Sequence, residues 1–418
     1  MRLAGTTMNE IFVGIDFGNK NLRACYLRNG RPNLIRFSGI SKMLPSVLYV
    51  DAEEGIMIGK DAKNRGFIDP NNVINFSIND IGKNKTWTAG GKTFTPAEVA
   101  TEILKEVKKQ IVKKFRCDII NAVITVPANF TSEQTRKAQN AAKIAGFNDV
   151  QIIAAPVAVA VAARKLERYK KIFVVDFGNS FEISVLQFDA ENNSYSVLDS
   201  YSDKDLGGEN FNELLYNYFM EIIQDDLGIE SFSQEKNFIS DNLKQEIEYF
   251  KTLLSEEETV VISIYIGICI DIKKILSYEL TREDFENICA PVFEKISSAV
   301  KNFIEGSEKF KADEIVQIIF DGGSCNIPKV RAVIEKFFNP RAGFYNPRAD
   351  FYFDTENLAV YGAYYSAQKF YGERQELNQK ITDLEEQLNE QKASYEKQIS
   401  KLQDEIYILQ SRIHRNSN

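Results

Sequence analysis

The same corner is written into this chain twice. Near the start stands Phe12-Val13-Gly14-Ile15-Asp16-Phe17-Gly18-Asn19-Lys20-Asn21, and further on Phe173-Val174-Val175-Asp176-Phe177-Gly178-Asn179-Ser180. In each copy an apolar run meets Asp-Phe-Gly-Asn, and a second, β-rich run follows over residues 22–27 and 181–188. The pattern is strand, tight turn, strand, with glycine at the bend, where a positive φ or a close ligand approach costs little. An aspartate that ends a buried strand needs a cation or hydrogen-bond donors. A turn of small residues leaves backbone N–H groups free to cradle an anion. One such corner alone is equally well an ordinary hairpin with a polar turn. Two near-copies point to a duplicated domain pair closing on one phosphate chain, with Asp16 and Asp176 reaching a shared metal ion.

At 418 residues the chain has room for two or three domains with full cores. A net charge of −8 disfavours nucleic acid or an anionic membrane as the main partner. No apolar run reaches the roughly 18 residues that span a bilayer; residues 152–163 and 260–272 read as core elements. The opening residues hold no signal-type apolar stretch, and Met8 offers an alternative start. Cys25, Cys117, Cys269, Cys289 and Cys325 are scattered and never spaced C-x-x-C, which argues for a reducing, cytoplasmic setting and against zinc or a disulfide frame. The one histidine, His414, lies at the far end, so triads and metal sites built on histidine are excluded. Chemistry here has to run on carboxylates, backbone amides and a hard metal.

Strands alternate with Asn/Gly turns over residues 11–50, with Asn29-Gly30 a hairpin signal, and residues 43–49 are expected to continue that sheet with Pro45 at an edge. Thr95-Pro96-Ala97-Glu98 is a capping box opening a helix to about Phe115, whose Val99, Ile103, Val107 and Ile111 form one buried face. A buried strand is expected over 119–126, then a helix capped by Thr131 and Gln134 and ended by Gly146, then a small-residue helix opened by Pro156. A charged joint at Arg168–Lys171 separates two halves of similar rhythm. The second half continues with Gly207-Gly208, helices near 210–224 and 243–254, β-rich 260–272, a helix capped by Thr281 and Asp284, and a strand over 315–320 that ends in Asp321-Gly322-Gly323-Ser324.

After Phe370 the pattern changes. Leu377, Ile381, Leu384 and Leu388 step by four and three, and so do Tyr395, Ile399, Leu402, Ile406, Leu409 and Ile413. Lys392 sits on the seam between the two sets, where an extra step of four makes a stutter. Residues 373–414 are thus expected to form a helix of ~60 Å, at 1.5 Å per residue, that associates with itself or with another protein as a coiled coil. A lone helix folding back on the body is the alternative.

The first 370 or so residues resemble the ATPase domain of the seventy-kilodalton heat-shock (DnaK-type) chaperones, in the actin-like superfamily. Residues Gly14 to Asn21 resemble the first phosphate loop of that family. Ala122-Val123-Ile124-Thr125-Val126-Pro127-Ala128-Asn129-Phe130 is similar to its A-V-I-T-V-P-A-Y-F block. Asp205-Leu206-Gly207-Gly208-Glu209-Asn210-Phe211 resembles H-L-G-G-x-D-F, and residues 320–329 resemble V-G-G-S-[ST]-R-I-P-K. Val360-Tyr361-Gly362-Ala363 is similar to A-Y-G-A. The resemblance implies an α/β fold of duplicated actin-like, ribonuclease H-like type: lobe I over 9–168 with a subdomain inserted at 47–117, lobe II over 169–345 with one at 206–286, and a return helix over 346–371 before the coiled coil.

It also implies ATP or ADP with Mg²⁺, held by Asp16 and Asp176 as metal-binding and catalytic residues. Phosphates would be received around Gly18, Asn19, Lys20 and Asn21, and around Gly178, Asn179 and Ser180. Adenosine would lie between Gly207 and Gly208, a helix carrying Glu248, Lys251 and Ser255, and Gly322, Gly323, Ser324 and Asn326. Read from spacing alone, Glu248 and Lys251 are an exposed i,i+3 ion pair.

The departures from the family carry as much meaning. Its second loop, D-L-G-G-G-T-x-D, becomes Asp176-Phe177-Gly178-Asn179-Ser180-Phe181-Glu182, one residue shorter and without the threonine. Its hydrolytic lysine falls near Ile78 or Asn79, its N-E-P-T glutamate at Ala155, and its adenine-stacking arginines at Thr252 and Asn326. Lys20, Lys83 and Lys85 are candidate substitutes for the lysine. A coiled coil stands where that family has its peptide-binding domain, so no peptide clamp is expected. The leading expectation is an ATP-binding conformational switch, a pseudo-ATPase with weak or lost hydrolysis, partnered through the coiled coil. The alternatives are an active ATPase with a relocated lysine, and a nucleotide-free scaffold or filament subunit.

Overall fold

Both Asp-Phe-Gly-Asn corners join antiparallel strands at the centre of a sheet. The computed structural model describes residues 10–28, 31–163, 171–227, 235–266, 274–338, 343–345 and 357–416, and the chain divides into two compact units, Met1–Ser366 and Ala367–Asn418. In the first unit β1 (Ile11–Phe17) pairs with β2 (Asn21–Arg28), and β3 (Arg31–Leu34) pairs with β2, both antiparallel. On the other side β4 (Ile120–Val126) and β5 (Val150–Ala154) run parallel, giving the order β5-β4-β1-β2-β3. The second sheet repeats this plan. There β6 (Lys171–Phe177), β7 (Phe181–Asp189) and β8 (Ser194–Asp203) form an antiparallel meander, while β9 (Gln317–Asp321) and β10 (Gly343–Tyr345) add parallel strands beside β6. Its order, β8-β7-β6-β9-β10, is that of the first sheet with each strand replaced by its counterpart. The expected duplication is therefore present strand for strand.

Local chemistry sets the helices. For α1 (Pro96–Phe115), the Thr95 hydroxyl accepts from the Glu98 N–H, and the Glu98 carboxylate accepts from the Thr95 N–H at 2.7 Å. Its Val99, Ile103, Val107 and Ile111 are buried, as the four-residue spacing requires. Thr131 and Gln134 cap α2 (Ser132–Ile144) in the same way, and Gly146 stops it with φ +95°. After α3 (Ala155–Ala162), the second half supplies α4 (Gly208–Leu227), α5 (Glu235–Leu253), α6 (Ala290–Gly306) and α7 (Pro328–Glu335), and α8 (Leu358–Asn416) closes the chain.

Only Leu44–Pro45 of residues 43–49 joins the first sheet, pairing with β2 at an edge. Ser46 hands the backbone over: its N–H donates to the Lys20 carbonyl at 2.8 Å and its own carbonyl accepts from the Phe76 N–H at 2.9 Å. Val47–Asp51 then becomes the middle of a separate three-stranded sheet with Gly55–Ile58 and Val73–Asn75. The Asn29-Gly30 turn, most of the charged joint (Arg168 included) and residues 267–272 lie outside the described residues.

Each sheet has its own apolar core, and two helices lie where the cores meet. One face of α3 packs Val159 and Ala162 with Ile172, Val174, Leu186 and Ile319 of the second sheet, together with Leu358. Val161 packs instead with Cys25 and Leu34 of the first sheet and with Val360 and Tyr364 of α8. The backbones touch at this crossing. A Cβ on Gly362 would fall 1.7 Å from the Ala158 carbonyl oxygen, and one on Gly14 would fall 2.2 Å from the Tyr364 nitrogen.

Gly362→Ala is therefore expected to destabilise the protein by about 1–3 kcal/mol or more, because the obstruction is backbone and cannot swing away. Gly372→Ala, on the same helix with nothing near its added Cβ, is expected to stabilise by ~0.5–1 kcal/mol through helix propensity. Chemical denaturation of the two variants checks both signs.

Candidate functional site

The two corners face one cleft of about 500 Å³. Register decides what stands beside each aspartate. Asp16 lies opposite Arg23 on β2 and Thr125 on β4. At the equivalent positions of the second sheet Asp176 lies opposite Glu182 on β7 and Asp321 on β9. One half thus surrounds its aspartate with a cation and a hydroxyl, and the other surrounds its aspartate with two more carboxyls. In the first half Thr125 Oγ1 donates to Asp16 Oδ1 at 2.7 Å and accepts from the Phe17 N–H at 3.2 Å.

A chain of side-chain hydrogen bonds crosses the cleft between the corners. Ser77 Oγ donates to Asn19 Oδ1 at 3.0 Å, Asn19 Nδ2 donates to Ser180 Oγ at 3.2 Å, and Ser180 Oγ donates to Glu182 Oε1 at 3.0 Å. The second turn is held from behind. The Gly208 N–H donates to the Gly178 carbonyl at 2.8 Å, and a Cβ on Gly207 would fall 2.2 Å from the Asn179 carbonyl oxygen. Gly207 accordingly supports the corner and is not among the residues that line the cleft. Gly18, Asn19, Lys20, Asn21, Gly178, Asn179, Ser180, Gly208, Glu248, Lys251, Ser255, Gly322, Gly323, Ser324 and Asn326 do line it, beside Asp16 and Asp176.

Burial makes these carboxyls hard to ionise. Asp176 is pushed up to about 8 by burial, then by the charges of Glu182 and Asp16, with Arg23 opposing. Asp321 is pushed well above the ordinary carboxylate range by burial and by Asp176 and Asp16. Burial also raises Glu182, against the bond from Ser180, and raises Asp16, against the bond from Thr125 and the Arg23 charge. Asp321 Oδ1 is buried with no hydrogen-bond partner among the described residues.

Oxygen donors, surplus negative charge and an orphaned carboxylate oxygen suit a hard cation. No group of three His, Cys, Asp or Glu among the described residues converges closely enough to hold a metal ion directly. The set therefore fits an ion that keeps most of its water, as Mg²⁺ does.

Lys251 differs from its sequence reading. The i,i+3 pair with Glu248 is present and its glutamate is exposed, but the lysine end is buried and donates to the Gly208 carbonyl at 3.2 Å, Asn212 Oδ1 at 2.9 Å and Glu248 Oε2 at 2.7 Å. Three acceptors match the three N–H groups of a lysine, so this side chain ties α5 to the start of α4. Glu248 is held below the usual range by Lys251 and Asn212, although burial opposes.

Ile78, 1% exposed, and Ala155 both line the cleft. Lys83 and Lys85 are tied to Asp80 at 3.2 and 2.9 Å, while Lys20 lines the cleft. Sequence reasoning passes over Asp321 and Glu182 as site residues. Asp321 carried a usable signal, because it closes an apolar strand before glycine just as Asp16 and Asp176 do.

Comparison with known proteins comes to the same region. The family model described as Hsp70 protein matches residues 74–345. The chain is similar to the chaperone protein DnaK of Ureaplasma urealyticum serovar 10, 31% identical over 332 residues that cover 78% of this chain and 54% of the relative. It is also similar to the chaperone protein DnaK of Picrophilus torridus, 29% identical over 338 residues covering 79% and 54%. The chain thus spans about half the length of the curated relatives it matches.

The raised carboxyls set a pH dependence. A carboxyl whose folded pKa lies above its unfolded value favours the folded state fully below the unfolded value, and loses that contribution as pH rises through the folded one. For Asp176 this window runs from 3.8 to about 8. The ligand-free protein should consequently melt lower at about pH 8 than at about pH 6. Asp321→Asn should flatten this slope and raise Tm by roughly 2–5 °C at the higher pH; thermal melts across pH check both effects.

Proposed function

Because this chain belongs to the Hsp70 family, we propose that its first unit binds ATP or ADP with Mg²⁺ and acts as a nucleotide-dependent conformational switch with weak or lost hydrolysis. The observation that carries this reading is the composition of the cleft: Asp16 and Asp176 line it from opposite sheets; apolar Ala155, where the family resemblance puts a glutamate, lines it too, as does apolar Ile78, which with uncharged Asn79 marks where that resemblance puts a lysine.

In this reading Asp16 and Asp176 hold the hydrated ion, and Asp321 and Glu182 add negative charge around its water shell. When bound, the ion supplies charge neutralisation for a polyphosphate and compensates carboxylates that burial otherwise keeps protonated. The turns at Gly18–Asn21 and Gly178–Ser180 receive phosphate, which competes with the Asn19–Ser180 hydrogen bond. Adenosine lies toward Glu248, Ser255, Thr252 and Asn326, with Lys251 shaping that wall. The two halves form the lobes over 9–168 and 169–345, and their relative rotation is the output. Phosphoryl transfer is catalysed mostly by positioning and charge stabilisation, so loss of the lysine removes on the order of 10²-fold, while Ser180 keeps a hydroxyl, though not the family's threonine, on the second loop. The tail over 373–414 takes a protein partner as a coiled coil, in a cytoplasmic setting. Lys20 in the cleft supports one other reading, an active ATPase with a relocated lysine.

ATP with Mg²⁺ is expected to raise Tm, because a ligand held only by the folded state stabilises it by mass action, and Asp16→Asn should abolish the shift. Single-turnover hydrolysis should run at least ~10²-fold below that of a DnaK ATPase domain and be unaffected by Lys20→Ala. No shift at saturating nucleotide would sink the switch, and rapid hydrolysis lost in Lys20→Ala would establish the relocated lysine.

A further inference from the structure

The second unit, Ala367–Asn418, carries an apolar seam whose described side chains are exposed. Leu377, Ile381, Leu384 and Leu388, then Tyr395, Ile399 and Leu402, are 51–63% exposed on α8. Seven large apolar side chains on one stripe of a helix that is otherwise mostly Glu, Lys, Gln, Asn and Asp mark an association surface.

The residues on the seam select the occupant. Steps of three run from d to a and steps of four from a to d only when the register is read backwards; read forwards, Leu377, Leu384, Tyr395, Leu402 and Leu409 fall at d. Ile381, Leu388, Ile399, Ile406 and Ile413 fall at a. Both series repeat every seven residues apart from a single step of eleven, Leu384 to Tyr395 and Leu388 to Ile399, so the seam stays continuous through the stutter. Four of the five a positions are isoleucine and four of the five d positions are leucine. Branching at Cβ for a and at Cγ for d is the combination that favours two parallel strands over three or four.

Charge agrees with this arrangement. Lys380 falls at g and Glu385 at the next e, positions that face each other across a parallel pair and attract. Lys392, alone on the seam, meets its own copy in register, where its stem covers apolar surface while its ammonium reaches water. A single polar seam residue of this kind specifies register and strand number at a cost in stability. The seven described seam side chains, burying roughly 100 Å² apiece, give about 700 Å² per chain, close to the ~800 Å² per partner of an ordinary stable interface.

We propose that the occupant of this seam is a second copy of the same chain, paired as a parallel two-stranded coiled coil. The proposal rests on the coiled-coil reading of the tail and is independent of whether the cleft binds nucleotide.

The test uses the full-length chain. Light scattering is expected to give twice the chain mass, and the double variant Leu384→Asp/Ile399→Asp is expected to give one chain mass with the ellipticity and melting of the first unit retained. Leu402→Cys is expected to form a covalent dimer under mild oxidation that the parent chain, with its five cysteines, does not form. A monomeric parent overturns the proposal, and so does a mass of three or four chains. A dimer that survives the double variant, or one in which Leu402→Cys fails to cross-link, overturns it as well. The nucleotide-induced Tm shift is read on the same samples, so failure of the tail and failure of the cleft are separable.

Discussion

Four carboxyls share one partly water-excluded cleft, and the rest of the first unit has to accommodate that cost. Asp16, Asp176, Glu182 and Asp321 are all raised by burial, and among the described residues Arg23 is the cation whose charge opposes the shift at three of them. Charges in such surroundings either neutralise or find a counter-ion. The strand register places them there. Duplication of one strand plan brings two aspartates to the same depth, and the second copy has carboxyls where the first has a threonine and an arginine. The cleft is therefore symmetric in backbone and asymmetric in charge.

Helix α3 links this chemistry to the joint between the sheets. Its first residue, Ala155, lines the cleft, and the carbonyl of Ala158, three residues on, meets Gly362 at the crossing with α8. Small residues along α3 let two backbones approach closely while its two faces serve different cores. A change at the cleft end of α3 is in this way mechanically close to the crossing where the two cores meet.

Much of this was legible beforehand. The repeated corner, the capping boxes at Thr95, Thr131 and Thr281, the stop at Gly146 and the long terminal helix all rest on local chemistry that a single chain segment carries. What escaped depends on partners distant in sequence. Asp321 and Glu182 become site residues only because register sets them beside Asp176. Lys251 looks exposed from its spacing with Glu248, and it is buried because Gly208 and Asn212 of another helix close over it. The three-residue strand Gly343–Tyr345 is too short to show a pattern, and the handover at Ser46 is visible only once both sheets exist.

The link between the two corners is made by an amide and a hydroxyl, neither of which carries charge. Dissolved salt weakens attraction between ions but leaves such a bond nearly untouched. The Asn19–Ser180 contact should accordingly be insensitive to ionic strength, unlike the charge effects among the carboxyls and Arg23 in the same cleft. The corners are thus pinned to each other by a contact that answers to shape and hydrogen bonding and not to the medium around it.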